Sequence, residues 1–305
     1  MDIQHLTGLI APPPTAMNRD GSVNPDAVER QLRALRRAGV RGAFVCGTTG
    51  ESVSLSVSER ICIAERWAEA RPPDFTLIVH VGHCSLKEAK ALAEHAQEIG
   101  ADAVAAMAPP VFPPACVGDL VAFCRCTAQA APELPFYYYH IPSVTGVDFR
   151  MLDFLRQAAD RIPSLAGMKF TYEHLMDYER CLRFRGGRYD MLFGRDEMLL
   201  SALALGARGA VGTTYNFAAP LYLRIMDAFE RGDLEAARAD QHRANEMVAV
   251  MGRFGGVRAA KAMMRFAGLD CGPPRLPLRA LDEEEMDALR GELDAVGFFD
   301  YCSGA

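Results

Sequence analysis

Lysine is rare in this chain, and one of its four lysines lies where an amine can act as a nucleophile. Lys87 and Lys90 belong to a polar helical pattern, whereas Lys169 lies near the end of the apolar run 165–170, which predicts a buried strand. An amine in apolar surroundings loses the solvation that favours its charged form. The neutral amine can then attack a ketone and form a Schiff base. The alternative is a strand-end lysine whose stem is buried while its ammonium reaches water.

Polar residues follow several other predicted strands at the point where each strand ends. They form five clusters, which are hard to ascribe to packing. The clusters are 47–51 after the second strand, Tyr139 with 140–146 at the fifth, Lys169 with Thr171 at the sixth, 194–197 after the seventh and 212–216 after the eighth.

Two of these clusters have a ligand-binding interpretation and a structural alternative. Residues 47–50 combine closely spaced backbone amides with the hydroxyls of Thr48 and Thr49, which can cradle a carboxylate. Gly-Thr-Thr-Gly is also a good turn sequence. Asp196 and Glu197 could bind the hydroxyls of a polyhydroxy ligand, or they could be first-turn acids that stabilise a helix N-terminus.

The remaining candidates near these ends, except Tyr139, are interpreted as structural. Strand alternation places Tyr137 and Tyr139 on one face and Tyr138 on the other. We expect His140, beside a proline, to form a hydrogen bond within a turn, and Glu51 to cap the helix that follows it. A stripe of apolar residues near position 250 is expected to be ordinary helix packing. The stripe consists of Met247, Val250 and Met251.

Eight short apolar runs alternate with amphipathic stretches along the first three quarters of the chain. The predicted strands are 7–10, 42–46, 76–81, 103–106, 136–139, 166–169, 191–193 and 209–211, and each is followed by a helical pattern. The pair Ser56 and Glu59 has capping-box spacing. Continuous apolar runs are typical of parallel strands that are buried on both faces.

This alternation predicts an α/β fold, a (β/α)8 TIM barrel with a C-terminal helical extension. A doubly wound open sheet is the alternative, but no G-x-G-x-x-G follows the first strand. We expect residues 1–232 to form the barrel that carries the active site and residues 233–305 to form helices packed on it. In such barrels the carboxyl ends of the strands meet at the active site, so the five clusters should converge.

Composition and charge argue against several classes of function. The net charge of −6 disfavours a nucleic-acid partner. No apolar run reaches the roughly 18 residues that a membrane helix needs. The nine cysteines show no C-x-x-C spacing, so we expect no zinc site. Without a secretory pattern at the start of the chain, we expect a cytoplasmic protein with reduced thiols.

Taken together, the motifs resemble those of a known family. Residues 47–51, 139–146 and Lys169 resemble the pyruvate-dependent class I aldolases, a superfamily that includes dihydrodipicolinate synthase and N-acetylneuraminate lyase. Segments 136–142, 167–170, 192–200 and 209–216 look very like those of animal-type N-acetylneuraminate lyases. The resemblance covers essentially the whole predicted barrel.

The resemblance implies an activity and a role for each matching residue. It implies reversible cleavage of N-acetylneuraminate, a sialic acid, to N-acetylmannosamine and pyruvate, without a metal or organic cofactor, in a homotetramer. Lys169 would form an imine with the 2-keto carbon, and Tyr139 would move protons beside it. Gly47, Thr48 and Thr49 would hold the carboxylate. The sugar hydroxyls would be bound by Thr171, Gly194, Asp196, Glu197 and Thr213.

Three departures from the family pattern keep alternatives open. Val144 stands where the synthases carry an arginine, which disfavours a dicarboxylic substrate. Thr213 stands where many lyases have serine, and residues 108–114 lack the tyrosine that many relatives contribute across a subunit interface. The alternatives are an aldolase of a 2-keto-3-deoxy sugar acid, a dihydrodipicolinate synthase-like enzyme, and a non-catalytic keto-acid-binding regulator.

Overall fold

Eight parallel strands form a closed barrel in the computed structural model, which describes residues 3–304. Each strand pairs with its neighbours in the chain, and β1 closes the barrel against β8, with Leu9 opposite Ala210. This confirms the predicted TIM barrel and excludes the open sheet. The strands are β1 Gly8–Ala11, β2 Gly42–Val45, β3 Thr76–His80, β4 Ala103–Met107, β5 Phe136–His140, β6 Leu165–Phe170, β7 Asp190–Phe193 and β8 Gly209–Val211.

Helices follow the strands and cover the outside of the barrel. They are α1 Val28–Arg37, α2 Val57–Ala70, α3 Leu86–Glu98, α4 Val117–Ala128, α5 Pro142–Thr145, α6 Met151–Ala158, α7 Leu175–Arg183, α8 Leu199–Leu205 and α9 Tyr215–Glu230. The prediction that a helix follows each strand is confirmed, but the short α5 was not predicted. The predicted capping box of α2 is confirmed, because Ser56 and Glu59 each accept a hydrogen bond from the other's backbone amide.

Strand side chains alternate between the barrel interior and the layer beneath the helices. Tyr137 and Tyr139 point into the interior with Phe44, whereas Tyr138 packs in the outer layer, as alternation predicted. Alanines such as Ala105 lie beside these rings in the interior. Small residues leave room there for the large ones, so the barrel is a packed core and not a pore.

A buried carboxylate lies near the start of β7, at the amino end of the strands. Asp190 Oδ2 accepts hydrogen bonds from the Tyr137 hydroxyl (2.9 Å) and the Leu6 amide (3.2 Å). Burial raises the pKa of Asp190 to about 6, although these hydrogen bonds and nearby positive charges partly oppose the shift. This group lies at the opposite end of the strands from the predicted active site.

The C-terminal extension consists of α10 Leu234–Arg253, α11 Val257–Phe266 and α12 Glu283–Ala295. Helix α10 packs along α9 and against the turn that follows β7. There Gln241 donates to the Asp196 carbonyl (3.2 Å) and accepts from the Leu200 amide (2.9 Å). The extension therefore meets the barrel at the carboxyl ends of its strands. None of the helices between residues 3 and 304 is long and apolar enough to cross a membrane.

Candidate active site

Lys169 lies inside the barrel near the carboxyl end of β6. Its side chain is buried, and its Nζ lies 4.1 Å from the centre of the Tyr139 ring and 4.4 Å from that of Phe44. An irregularity where β5 meets β6 brings Lys169 into register with Tyr139. Phe136 pairs with Leu165, but Tyr137 pairs with Gly167, so Ala166 is an extra residue. Such bulges re-aim the side chains that follow them.

The amine of Lys169 is unlike that of the other buried lysine. Lys261 Nζ lies 2.7 Å from a Glu51 carboxylate oxygen, whereas no carboxylate in the described part of the chain forms an ion pair with Lys169. The neighbours of Lys169 are instead the aromatic faces, which attract a cation but do not neutralise it. The alternative of a strand-end lysine requires an ammonium that reaches water. Lys169 does not fit it, because the residue is only 4% exposed.

The 47–50 loop reaches the same end of the barrel from β2. The Thr48 hydroxyl lies 3.3 Å from the Tyr139 hydroxyl, and the Thr49 hydroxyl lies 2.7 Å from that of Thr213. The segment is also a turn, since the Glu51 amide donates to the Thr48 carbonyl (3.0 Å). The turn interpretation is therefore confirmed, and the turn presents the two threonines to the cavity. The binding of a carboxylate by this loop stays a prediction.

Thr171 and Asp196 also lie at this end of the barrel, where two glycines make space for them. A Cβ on Gly194 would lie 1.9 Å from Thr171 Oγ1, and a Cβ on Gly212 would lie 1.9 Å from Asp196 Oδ1. Asp196 Oδ2 accepts from both the amide (2.8 Å) and the hydroxyl (2.6 Å) of Thr214. Burial raises the pKa of Asp196 to about 6, against the opposing effect of these hydrogen bonds.

Glu197 is half-buried beside Asp196 and is held by a neighbouring cation. Its Oε1 lies 3.2 Å from Arg195 Nη1, and Arg195 Nη2 also donates to Glu173 (2.5 Å). Asp196 and Glu197 lie in the first turn of a short 3-10 helix, as the first-turn interpretation predicted. The Asp196 carboxylate in addition bonds to the loop after β8.

One cavity joins these residues. Its volume is about 770 Å³, including space open to solvent, and every residue predicted for the site lines it except Gly47. Gly47 lies instead against the Phe44 ring, where a Cβ would come within 2.9 Å of a ring carbon. The predicted residues that line the cavity are Thr48, Thr49, Tyr139, Lys169, Thr171, Gly194, Asp196, Glu197 and Thr213.

The cavity has a further wall that the sequence analysis missed. Met251 of α10 lines it, so the expectation that Met251 serves only helix packing is wrong, whereas Met247 and Val250 are buried as expected. Residues of the helical extension thus contribute to the site. Nothing in the sequence indicated which helix face would meet the strand ends. The missed lining residues are Ile141, Arg195, Val211, Val248, Met251, Gly256 and Val257.

Two expectations about neighbouring residues are also wrong. Neither ring nitrogen of His140 has a hydrogen-bond partner among residues 3–304; the ring packs 5.1 Å from Phe170 and 5.5 Å from Tyr172, measured between ring centres. Burial lowers the pKa of His140 to about 3, so the ring is neutral at physiological pH. Glu51 makes no helix cap, because its carboxylate pairs with Lys261.

The site combines a buried amine against a tyrosine ring, a loop of amides and hydroxyls, and a carboxylate wall. No group of three or more His, Cys, Asp or Glu side chains in the described ranges could hold a metal ion. The arrangement can form a Schiff base with a keto acid and move protons beside it. It can also bind hydroxyl groups at the carboxylates.

Comparisons with known proteins agree with this chemistry. The chain is 41% identical to N-acetylneuraminate lyase of Rattus norvegicus over 97% of its own length and 94% of the relative's. The solved structure of Proteus mirabilis N-acetylneuraminate lyase superposes with a TM-score of 0.94 at 41% identity, covering 97% of this chain and 100% of that one. The solved structure of N-acetylneuraminate lyase (sialic acid aldolase) from Aliivibrio salmonicida superposes with a TM-score of 0.94 at 42% identity, covering 97% of this chain and 98% of that one. The model of the dihydrodipicolinate synthetase family matches residues 5–296, and the chain belongs to that family.

Proposed function

We propose that this protein catalyses the reversible cleavage of N-acetylneuraminate to N-acetylmannosamine and pyruvate through a Schiff base on Lys169. The observation that carries the proposal is the buried Lys169 amine, packed against the Tyr139 ring at the strand ends of a cavity with a polar wall. The high identity to N-acetylneuraminate lyases over nearly the full chain supports the same substrate.

Imine formation is the first step. The neutral amine of Lys169 bonds to the C2 ketone carbon of the open-chain substrate, the carbonyl oxygen leaves as water, and one proton is taken up to give a protonated imine. The nitrogen lies over the ring faces of Tyr139 and Phe44 before the attack. The charged imine that follows lies over the same ring faces, which stabilise a cation.

Bond cleavage uses the imine as an electron sink. A proton leaves the C4 hydroxyl, the C3–C4 bond breaks, and its electron pair moves to the imine nitrogen to give an enamine. The C4 carbon leaves as the aldehyde of N-acetylmannosamine. We assign the relay of this proton to the Tyr139 hydroxyl, which lies 3.3 Å from that of Thr48.

The last step releases pyruvate. The enamine takes a proton at C3, water adds to C2 of the resulting imine, and the bond to Lys169 breaks to restore the amine and the ketone. No atom or electron comes from outside the substrate, the protein and water. The reverse sequence is an aldol addition of pyruvate to the aldehyde.

The two sides of the cavity suit the two ends of this substrate. The 47–50 loop, with the Thr49 hydroxyl held by Thr213, is assigned to the carboxylate. Asp196 and Glu197 on the other side are assigned to the hydroxyls of the sugar chain, since carboxylates form strong hydrogen bonds with such donors. A shorter keto acid would leave this side of the cavity without a ligand.

Reductive trapping tests the proposal. Borohydride added with pyruvate should leave a covalent mass increase on the peptide that contains Lys169, and the Lys169→Met variant, which retains the bulk of the side chain, should show none. An adduct on Lys87, Lys90 or Lys261, or no adduct, would overturn the imine assignment. Pyruvate release from a panel of sialic acids and 2-keto-3-deoxy sugar acids tests the substrate, and pyruvate consumption with aspartate semialdehyde tests the synthase alternative.

We also propose a homotetramer, the assembly that the family resemblance implies. Exposed apolar residues support it: Val53 is 75%, Val111 66% and Phe112 84% exposed. Val53 lines a surface cavity together with Pro109 and Pro110, so these residues lie near one another. Contiguous apolar surface is typical of an interface. Light scattering after size exclusion should give four times the chain mass, and a monomer would refute the assembly.

Finally, we propose a cytoplasmic location. All nine cysteines are free thiols, and several are buried in the core, as Cys124 and Cys181 are. Free thiols are the usual state in a reducing compartment. Cell fractionation followed by thiol labelling would test both points, and recovery in an oxidising compartment would contradict them.

A further inference from the structure

Two buried charges tie the substrate-carboxylate loop to the C-terminal extension. Glu51 follows the 47–50 loop directly, and its backbone is in the left-handed region (φ 56°). Its Oε1 lies 2.7 Å from Lys261 Nζ on α11, and the two side chains are 1% and 2% exposed. Its Oε2 accepts a hydrogen bond from the Arg275 amide (2.8 Å). One oxygen of Glu51 is therefore paired with an ammonium and the other accepts a hydrogen bond, both from residues more than 200 positions further along the chain.

The partners of Glu51 are themselves fixed in place. Lys261 Nζ donates to the Pro273 carbonyl (2.8 Å), so one amine joins the loop to two parts of the extension. The Arg275 guanidinium donates to the Ser54 carbonyl (2.8 Å) and to Glu59 (2.7 Å), just beyond the loop. The loop after β2 is thus held by the extension at two successive points.

The same helix forms part of the cavity wall. Val257 lines the cavity, and Lys261 follows it by four residues on α11, so both lie on one face of the helix. Thr48 and Thr49 line the cavity from the loop that Glu51 ends. The pair therefore sets the separation of the loop and the α11 wall across the ligand-binding space.

Stability alone is a weak explanation for such a pair. Apolar side chains of similar volume commonly replace a buried ion pair at no loss of stability, because burying two charges costs solvation. Apolar residues cannot supply the directional hydrogen bonds that Glu51 accepts from the Arg275 amide and that Lys261 donates to the Pro273 carbonyl. Fixing the position of the loop relative to α11 is therefore a better reason than stability for two buried charges at this point.

We propose that Glu51 and Lys261 are positioning residues that hold the 47–50 loop in the geometry that receives the substrate carboxylate. The identity of that ligand rests on the proposed function, whereas the restraint on the loop does not. Neither side chain lines the cavity, so both act through the loop and through α11. Their loss should weaken binding of the carboxylate end more than it slows chemistry on the bound substrate.

The test uses a double variant, Glu51→Gln with Lys261→Met, because Glu51→Gln alone leaves a buried ammonium without a partner. The double variant removes both charges at nearly constant volume. A matched control is Arg258→Met with Glu285→Gln, which removes an ion pair (2.9 Å) that joins α11 to α12 and not to the loop. Each is purified as the full chain, and its folding is checked by its thermal unfolding.

Two readouts separate positioning from a general structural role. In the Glu51/Lys261 variant, the KM for N-acetylneuraminate and the pyruvate concentration for half-maximal borohydride trapping should rise about tenfold, with kcat changed less than about threefold. Hydrogen exchange of the backbone amides in peptide 44–55 should accelerate, while peptides from β5 should be unchanged. The control variant should match the wild type in both readouts.

A folded double variant with wild-type KM and wild-type exchange in peptide 44–55 would overturn the inference. A fall in kcat without a rise in KM would overturn it as well, since it would place the pair in the chemistry and not in binding. A wild-type protein that traps no pyruvate would instead refute the proposed function. In that case, hydrogen exchange in peptide 44–55, compared between the variants, would still show whether the pair restrains the loop.

Discussion

Replacing Asp196 by Asn should make the protein more stable at neutral pH and less active. The oxygen of the new amide can keep the two hydrogen bonds from Thr214, which now converge on Oδ2. The other oxygen, Oδ1, becomes an NH2 group, so an acceptor at the sugar side of the cavity becomes a donor. Asp190→Asn is the matched control, because Asp190 is equally buried but lies at the far end of the strands.

The effect on stability follows from the pKa of each carboxyl group. Burial raises the pKa of Asp196 from 3.8 to about 6, and that of Asp190 likewise to about 6. The native protein therefore holds these protons more tightly than the unfolded chain, and its free energy of unfolding falls as pH rises from about 4 to about 6. A shift of about two units corresponds to about 3 kcal/mol at neutral pH for each group.

Each Asn variant lacks this ionisation. Its free energy of unfolding relative to the wild type should therefore rise by up to about 3 kcal/mol between pH 4 and pH 7. Urea unfolding followed by fluorescence at a series of pH values in this range measures the change. The two variants should behave alike in this respect, because the physical cause is the same.

The effect on activity should separate the two variants. Charge-assisted hydrogen bonds are worth roughly 1.5–3 kcal/mol, so Asp196→Asn should lower kcat/KM for N-acetylneuraminate about ten- to a hundredfold. Trapping of pyruvate alone should be nearly unchanged, and Asp190→Asn should retain activity. Equal losses in both variants, or loss of pyruvate trapping in Asp196→Asn, would refute the assignment of Asp196 to the sugar chain.

Three further substitutions test other parts of the site. Tyr139→Phe keeps the ring over Lys169 and should lower kcat about 10²–10⁴-fold with little change in pyruvate trapping. A kcat within a few-fold of wild type would show that Tyr139 lines the cavity without moving protons. Gly194→Ala places a Cβ 1.9 Å from Thr171 Oγ1. It should raise the KM for N-acetylneuraminate more than the pyruvate concentration for half-maximal trapping. Equal rises in the two values would contradict a role for Gly194 at the sugar end. Met251→Ala should raise KM for N-acetylneuraminate without changing kcat, and unchanged kinetics would remove Met251 from the site.

The sequence alone was sufficient for the barrel and for most of the site. Continuous apolar runs separated by amphipathic stretches specify parallel strands with helices around them. In a closed barrel, residues that follow successive strands must meet at one end, whatever their separation in the chain. For this reason Lys169, Tyr139, Thr48 and Asp196 could be brought together before any coordinates were considered.

The register between strands was not accessible in the same way. Alternation placed Tyr139 on the interior face, but its position opposite Lys169 depends on the extra residue Ala166 between β5 and β6. A run of small apolar residues looks the same with or without a bulge. The difference arises only when both strands are paired.

The contacts of the C-terminal extension are the part that only the tertiary structure decided. Hydrophobic periodicity identifies the buried face of a helix but not the surface that it covers, so Met251 looked like ordinary packing. The pairing of Lys261 with Glu51 joins residues 210 positions apart, and no local pattern encodes it. The sequence determined which residues gather at the strand ends, because barrel closure requires it. How the loop and the last helices enclose them was decided by packing between distant segments.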